Sequence, residues 1–259
     1  MAHKNTCVVY TCITNGYDNL IRHKFSAPDW DYVCFTDNAK LLKRGRVGRW
    51  QIRPLAYDKS DNTRNARWHK THPHILFPNY QASLWIDSNG EILTPHVFDL
   101  VSRAGKSMLI PYHFSRDCVF DEAVEVVLCR KDTPENVNNM VFVLETNKMP
   151  RHYGLNETNV IYRHHNDAKI MELMNVWWDF IEKYSKRDQL SLSYVLWCAN
   201  ISVADISFNN ARMDTVNFRF ITHTSESRGS RKWFGKVRCA DNRRRIYFCG
   251  ICVFSYTRH

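Results

Sequence analysis

Leu84-Trp85-Ile86 is an apolar run with no polar interruption, and it stops at a carboxylate, Asp87, followed by Ser88-Asn89-Gly90-Glu91. A strand that lacks a polar face is buried on both sides, as in a parallel sheet covered by helices. Ligands of open α/β sheets bind beyond the carboxyl ends of the strands. Asp87 therefore stands where such a fold does its chemistry, and Asn89 offers a second oxygen two residues on. Asp-x-Asn is a weakened Asp-x-Asp. Its oxygens suit a hard cation such as Mn²⁺ or Mg²⁺, which keeps waters and takes further ligands from substrate phosphates. Asp, Ser, Asn and Gly are also turn formers, so the same residues suit a solvated turn after a strand.

The segments before this run repeat its pattern. Thr6 to Thr14 alternates, is rich in β-branched residues and ends in the turn Asn15-Gly16-Tyr17-Asp18; Asp31 to Thr36 is a second strand that ends on Asp37. Strands that close on polar residues imply a shared rim. Lys40 to Arg49 reads as a basic loop, followed by a short strand from Trp50 to Arg53. Asp61 is the N-cap of a helix that carries Arg64, Arg67 and Lys70 until Pro73 stops it. Arg64 and Arg67, three apart, share a face, which is either a solvated basic surface or a partner for the acidic rim.

Ser107 to Tyr112 is a further strand, leading to His113 and Arg116-Asp117, and Val160 to Arg163 is another. Between them, Val126 to Glu145 reads as strand pieces around a helix start at Thr133-Pro134-Glu135. Adjacent His164 and His165 point in different directions and suit surface or hydrogen-bonding roles better than one metal. Ile170, Met174, Trp177 and Ile181 recur at helical spacing and form a core stripe. Ser185 followed by Asp188 has capping-box spacing at the start of a helix from Gln189 to Ala199, so Asp188 serves either backbone amides or chemistry.

Formal charge is +10, and residues 220–259 hold nine Lys and Arg against two acidic residues. Trp233, Phe234, Tyr247 and Phe248 are interleaved with that charge, a mixture that suits a polyanion carrying bases or sugars, or a solvated hairpin. These residues read as a basic extension, 216–259, packed on a main domain of 1–215. Nine cysteines scattered through apolar segments suit reduced core thiols, and Cys249-Gly250-Ile251-Cys252 reads as part of a buried strand. No apolar run approaches the ~20 residues that span a bilayer, and the N-terminal stretch lacks a secretory signal's pattern, so a cytoplasmic protein is expected.

Six motifs stand in a recognisable order: Tyr10 to Asp18, Asp31 to Asp37, the helix from Arg64 to His74, Leu84 to Asp87, Arg116-Asp117-Cys118, and Arg187-Asp188-Gln189-Leu190-Ser191. Together, over residues 6 to 200, they resemble the glycosyltransferase-like domain of plant pectin- and mucilage-related proteins and of bacteria, once catalogued as a domain of unknown function. The resemblance implies a GT-A-like α/β fold with a mixed, mostly parallel central sheet between helices, and a nucleotide-sugar site beside an Asp-x-Asp motif. Here Asn89 replaces the second Asp. A weaker likeness, to retaining glycosyltransferases of the glycogenin type, pairs the basic helix with Asp188-Gln189 near the sugar. It also pairs a C-terminal His, here His223, with a Gly-x-x-Lys segment, here Gly229 to Lys232, at the diphosphate.

These likenesses imply Asp87, Asn89 and His223 as ligands of Mn²⁺ or Mg²⁺, with Lys232, Arg64, Arg67 and Lys70 binding the donor. Asp188 and Gln189 are the implied catalytic pair in a retaining transferase, and Asp188 would be the acceptor's base in an inverting one. Thr11, Asn15 and Asp37 are candidates for the nucleoside and Asp117 for the donor sugar. The acceptor is a saccharide or a hydroxylated base in nucleic acid such as viral DNA. The contrasting reading is a GT-A-like scaffold that binds nucleic acid and has lost catalysis. A nuclease fits less well, since one Asp-x-Asn without clustered carboxylates is thin for two-metal chemistry.

Overall fold

The computed structural model describes residues 6–223 and the strand residues 234–238, 243–248 and 251–257. It divides into two compact units, Met1–Ile221 and Thr222–His259. In the first unit β1 (Cys7–Ile13), β2 (Trp30–Thr36), α1 (Ala39–Arg44), β3 (Arg46–Val47), β4 (Trp50–Pro54), α2 (Asn62–Thr71) and α3 (Pro73–Leu76) lead to β5 (Ala82–Ile86). β6 (Gly90–Ile92), α4 (His96–Arg103), β7 (Met108–Pro111), α5 (Val119–Leu128), α6 (Pro134–Thr146) and β8 (Val160–Arg163) follow. α7 (Ala168–Lys183), α8 (Asp188–Cys198), α9 (Val203–Ile206), β9 (Ser207–Phe208) and β10 (Phe218–Phe220) complete it.

Eight strands form one sheet in the order β3-β4-β2-β1-β5-β8-β7-β9. β4, β2, β1 and β5 run parallel, whereas β8 is antiparallel to both β5 and β7. The expected α/β architecture with a mostly parallel sheet is present, and all five residues of β5 are buried. One face of the sheet packs Tyr10, Phe35 and Trp85 against Met174, Trp177 and Leu192 of the helices; the other packs Val9, Leu84 and Ile86 against Val97 and Phe98. The reversed direction of β8 matters for function, because its start lies at the same rim as the ends of β5 and β7, whereas β3, antiparallel to β4, lies at the sheet's far edge.

Two sequence expectations are corrected. Lys40 to Arg49 is not all loop: Asn38 Oδ1 accepts from the Lys40 and Leu41 amides and opens α1, which Gly45 closes at φ 64. Val126 to Glu145 contains no strand. It is the end of α5 and nearly all of α6, with Val119, Ala123 and Val126, then Val137, Met140 and Leu144, burying one face each. Thr133 does open α6, its side chain accepting from the Asn136 amide.

Both histidines have hydrogen-bonding roles: His165 Nε2 donates to the Phe77 carbonyl at 2.9 Å, and His164 Nε2 meets the Tyr162 hydroxyl at 2.9 Å. Cys7, Cys12, Cys34, Cys118, Cys129 and Cys198 are free thiols, but Cys129 and Cys198 are exposed rather than in the core. In the second unit β11 (Phe234–Arg238), β12 (Arg243–Phe248) and β13 (Ile251–Thr257) form an antiparallel sheet with an irregularity between Ile246 and Tyr247. Cys252 lies in β13, while Cys249, Gly250 and Trp233 fall outside the described residues. Among the described residues no helix is long and apolar enough to cross a membrane.

Candidate active site

Three elements bring charged side chains to the end of β5. Asp61 caps α2 by accepting from the Thr63 and Arg64 amides, and the helix turn then places Arg67 and Lys70, three apart, on one face. α8 begins at Asp188. Asp132 prepares that start, with its Oδ2 accepting from Ser185 Oγ at 2.7 Å and from the Lys186 amide at 2.9 Å. Trp177 of α7 fixes the position by donating Nε1–H to the Asp188 carbonyl at 2.9 Å.

The side chains meet in a four-charge cluster in which Lys70 and Asp188 are buried and Arg67 and Asp87 are half-buried. Lys70, whose side chain is 0% exposed, directs Nζ to Asp188 Oδ2 at 2.8 Å and to Asp87 Oδ1 at 3.1 Å. Its ammonium also donates to the Thr158 carbonyl at 2.8 Å and lies 5.2 Å from the centre of the Trp85 ring. Arg67 Nε is 3.2 Å from the same Asp188 oxygen, and Thr158 Oγ1 donates to it at 2.8 Å. Trp85 Nε1 donates to Asp87 Oδ1 at 2.7 Å. The capping-box alternative for Asp188 is thereby corrected: α8 has no side-chain cap bond, and the carboxylate serves cations and a hydroxyl instead.

Burial alone would raise the pKa of Asp188, but Arg67, Lys70 and then Arg187 outweigh it and hold the group well below the ordinary range. The same contest, with Lys70 and Arg67 prevailing over burial, lowers Asp87. Both stay ionised. Asp188 is thus a poor proton acceptor and a good fixed anion. Its position in the first turn of α8, where the helix dipole favours negative charge, acts in the same direction.

The turns around this cluster form one rim. The Asn15 amide donates to Asp37 Oδ2 at 2.7 Å, Thr14 Oγ1 donates to the Asn62 carbonyl at 2.9 Å, and Ser88 Oγ donates to Asp18. Thr11 Oγ1 is buried without a hydrogen-bond partner. Gln189 is buried beside Asp188. Two other expected site residues, Arg64 and Asp117, have other partners. Arg64 donates to the Ile181 and Tyr184 carbonyls at the end of α7 and pairs with Asp61. Asp117 is exposed and pairs with His152 at 2.9 Å. His223 belongs to the second unit, and Lys232 lies outside the described residues.

The start of β8 adds residues that sequence reasoning missed. The Asp87 amide donates to the Asn159 carbonyl at 2.8 Å, so Asn159 faces Asp87 across the strand pair. Buried without hydrogen-bond partners are both polar atoms of the Asn159 carboxamide, Glu157 Oε2, Asp188 Oδ1 and Arg187 Nε. Each such atom costs about 1–3 kcal/mol in a closed interior, which makes this rim a candidate for a ligand site. The available signal was the polar run Asn156-Glu157-Thr158-Asn159 directly before an apolar strand.

The donor chemistry of Asp87 and Asn89 fits a hard divalent cation. Asp87 is 25% exposed at its side chain, and Asn89 Nδ2 donates to the Ile221 carbonyl at 2.9 Å, which fixes the amide with its oxygen turned from that contact. Among the described residues no three His, Cys, Asp or Glu gather around a metal position. A bound ion would take its other ligands from water and phosphate, as Mg²⁺ and Mn²⁺ do.

Among known proteins, the chain is similar to a probable hexosyltransferase of Arabidopsis thaliana, MUCI70, with 28% identity over 216 residues. The similarity covers 73% of this chain and 36% of that protein, so the chain spans about a third of its relative's length. Solved structures that resemble it include the bifunctional glycosyltransferase WbbM in apo form, with TM-score 0.47 and 10% identity over 81% of this chain and 39% of that one. Mouse xyloside xylosyltransferase 1, also apo, matches with TM-score 0.43 and 10% identity over 78% of this chain and 83% of that one. The sequence pattern of the TOD1/MUCI70 glycosyltransferase-like domain matches residues 1–223, the stretch that contains β1, the charged helix, Asp87 and Asp188. With that match across most of its length, the chain belongs to the TOD1/MUCI70 glycosyltransferase-like domain family.

Proposed function

We propose that this domain transfers a sugar from a nucleotide-sugar donor to a hydroxyl acceptor at the rim formed by Asp87 and Asp188. The observation that carries the reading is the buried Lys70 ammonium bridging the two carboxylates beside Arg67. Glycosyl transfer breaks the bond between the anomeric carbon and the diphosphate oxygen. Positive charge grows on the carbon and negative charge on the departing oxygen. Asp188, kept ionised and with Oδ1 free of hydrogen bonds, supplies a preorganised anion for the carbon. Arg67 and Lys70 supply fixed positive charge for the diphosphate. Gln189 adds an amide beside Asp188, and Thr11, Asn15 and Asp37 line the nucleoside side of the rim.

Asp87 and Asn89 would hold Mn²⁺ or Mg²⁺, which when bound adds Lewis-acid charge at the leaving diphosphate. The reading carries retention of configuration. The acceptor oxygen bonds to the anomeric carbon as the carbon–phosphate oxygen bond breaks; the bonding pair leaves with the diphosphate, which takes the hydroxyl proton. A strongly depressed Asp188 favours this course over one in which it serves as base. The acceptor is a saccharide or a hydroxylated nucleic-acid base. The contrasting reading, a nucleic-acid-binding protein without catalysis, draws on the nine Lys and Arg of residues 220–259.

A thermal-shift screen of nucleoside diphosphates and nucleotide sugars, with and without Mn²⁺, on the native chain and on Asp87→Ala, tests the proposal. A ligand that binds the folded state at a hundred times its Kd stabilises by about 2.7 kcal/mol. One nucleotide sugar should stand out, metal-dependent and lost in Asp87→Ala. If no donor shifts the native chain, the transfer reading fails.

A further inference from the structure

The Lys70 carbonyl is held by two side chains that the transfer chemistry above does not use. Arg163, the last residue of β8, donates from Nη1 to that carbonyl at 2.8 Å, and Tyr10 of β1 donates its hydroxyl to it at 3.0 Å. The two donors are joined, since Arg163 Nη2 donates to the Tyr10 oxygen. Nη1 also meets Met174 Sδ of α7 at 3.0 Å. Both residues are fully buried. A carbonyl oxygen has two lone pairs, so this pair of donors saturates it.

Packing alone does not call for a charge at this place. Among the described residues no carboxylate acts on the guanidinium: burial lowers its pKa, and Tyr10 is the group that opposes the shift. Tyr10 is no counter-ion, because burial, opposed by Arg163, pushes its hydroxyl up to about 12 and so keeps it neutral. A buried charge without a counter-ion costs stability, and an apolar side chain of similar volume is often no worse there. What the guanidinium does have is a position at the C-terminal end of α2, whose penultimate residue is Lys70. The helix dipole favours a cation at that end.

That position bears on the reaction through geometry. Other carbonyls of the last turn are served from the helix end itself: Thr71 Oγ1 donates to that of Arg67 at 3.1 Å, and the His72 amide to that of Trp68 at 3.0 Å. The Lys70 carbonyl is tied to the sheet instead. Tyr10 is paired with Trp85 across β1 and β5, and their rings meet edge-on with centroids 5.2 Å apart. The anchor of the Lys70 main chain is therefore packed against the indole that donates to Asp87. Lys70 Nζ must reach Asp188 at 2.8 Å and Asp87 at 3.1 Å together. A displacement of about 1 Å in such an arrangement is enough to cost about a hundredfold in rate.

We propose that Arg163 is a positioning residue: with Tyr10 it fixes the Lys70 backbone at the end of α2 and so holds the ammonium in its bridge between Asp87 and Asp188 during glycosyl transfer. Its catalytic part rests on the glycosyl-transfer reading. The test uses the full chain, native and as Arg163→Met, Tyr10→Phe and Lys70→Met. Lysine side chains labelled with ¹⁵N are first observed by NMR without metal. A buried, hydrogen-bonded ammonium exchanges slowly, so the native chain should show a protected signal that Lys70→Met removes. Arg163→Met should broaden or remove the same signal in a chain that urea unfolding shows to be folded. Tyr10→Phe keeps the ring and its packing, and it gives the same readout should Arg163→Met fail to fold.

Release of nucleoside diphosphate from nucleotide sugars is then measured with Mn²⁺ on the same folded variants. kcat should fall about tenfold or more, with the donor KM changed by less than about threefold, whereas a residue that only stabilises the fold would leave kcat of the folded chain unchanged. The proposal is overturned if the native chain shows no protected lysine signal, or if the signal persists unchanged in Arg163→Met and Tyr10→Phe. It is also overturned if a variant that has lost the signal keeps kcat within about threefold of native. If the signal is lost as expected but the native chain releases no nucleoside diphosphate, the hold of Arg163 on Lys70 stands and the transfer reading falls.

Discussion

Replacing Lys70 by Met probes the cluster at its centre. The aliphatic stem is conserved in length, so little cavity opens, but the ammonium that bridges Asp188 at 2.8 Å and Asp87 at 3.1 Å is gone. Asp188, 1% exposed, is left with Arg67 and Thr158 in contact and the Arg187 charge nearby. Breaking a buried pair in this way costs about 3–5 kcal/mol. For a domain of this size each kcal/mol moves Tm by about 2–4 °C, so the fall should be about 6–20 °C. The pH dependence has a defined sign. Both carboxylates have folded pKa values below their ordinary ones. Their pairing therefore stabilises the fold above the unfolded value of about 3.9 and is lost as pH falls through the folded values. The gap between native chain and Lys70→Met should be full at pH 7 and should narrow below about pH 4. Urea unfolding followed by tryptophan fluorescence reads it, since Trp85 and Trp177 both hydrogen-bond to the cluster. A loss under about 1 kcal/mol, the range of an exposed pair, would show that the ammonium does not bridge the two carboxylates in a buried pair. So would a gap that is constant between pH 7 and pH 3.

Two further outcomes follow from the geometry. Asp188→Asn keeps shape and removes the anion, so turnover should drop by about 10²–10³ while donor affinity changes far less; a variant within tenfold of native turnover contradicts the role. Gly90→Ala would place a Cβ 2.9 Å from both Ile86 Cγ1 and Phe220 Cε1, so the urea midpoint should fall by the equivalent of about 1–3 kcal/mol, and an unchanged midpoint would show that this packing yields freely.

The most legible parts of the chain were those in which a local signal and the tertiary environment agree. Leu84 to Ile86 announced a strand buried on both faces, and Asp61 with Pro73 bounded α2. Val126 to Glu145 misled because its β-branched residues favour strands, whereas the spacing of Val137, Met140 and Leu144 follows a helix. α1 buries none of its residues, so it had no apolar period to read, and only the Asn38 cap signalled it. The site was half legible. Asp87, Arg67, Lys70 and Asp188 were recognisable as residue types, but their convergence spans 118 positions between Lys70 and Asp188. Arg64 looked equivalent to Arg67, and only the fold shows that its guanidinium serves the carbonyls of α7. Glu157 and Asn159 were missed because strand direction is a non-local property. Had β8 run parallel to β5, its start would lie at the opposite edge of the sheet.

Release of nucleoside diphosphate from a panel of nucleotide sugars, measured on the native chain, Asp87→Ala and Asp188→Asn with Mn²⁺ present, decides whether Asp87 and Asp188 serve glycosyl transfer. One nucleotide sugar should be turned over by the native chain, and both variants should lose nearly all of that turnover while remaining folded. Turnover that survives in Asp188→Asn, or a folded native chain that turns over none of the panel, would contradict it.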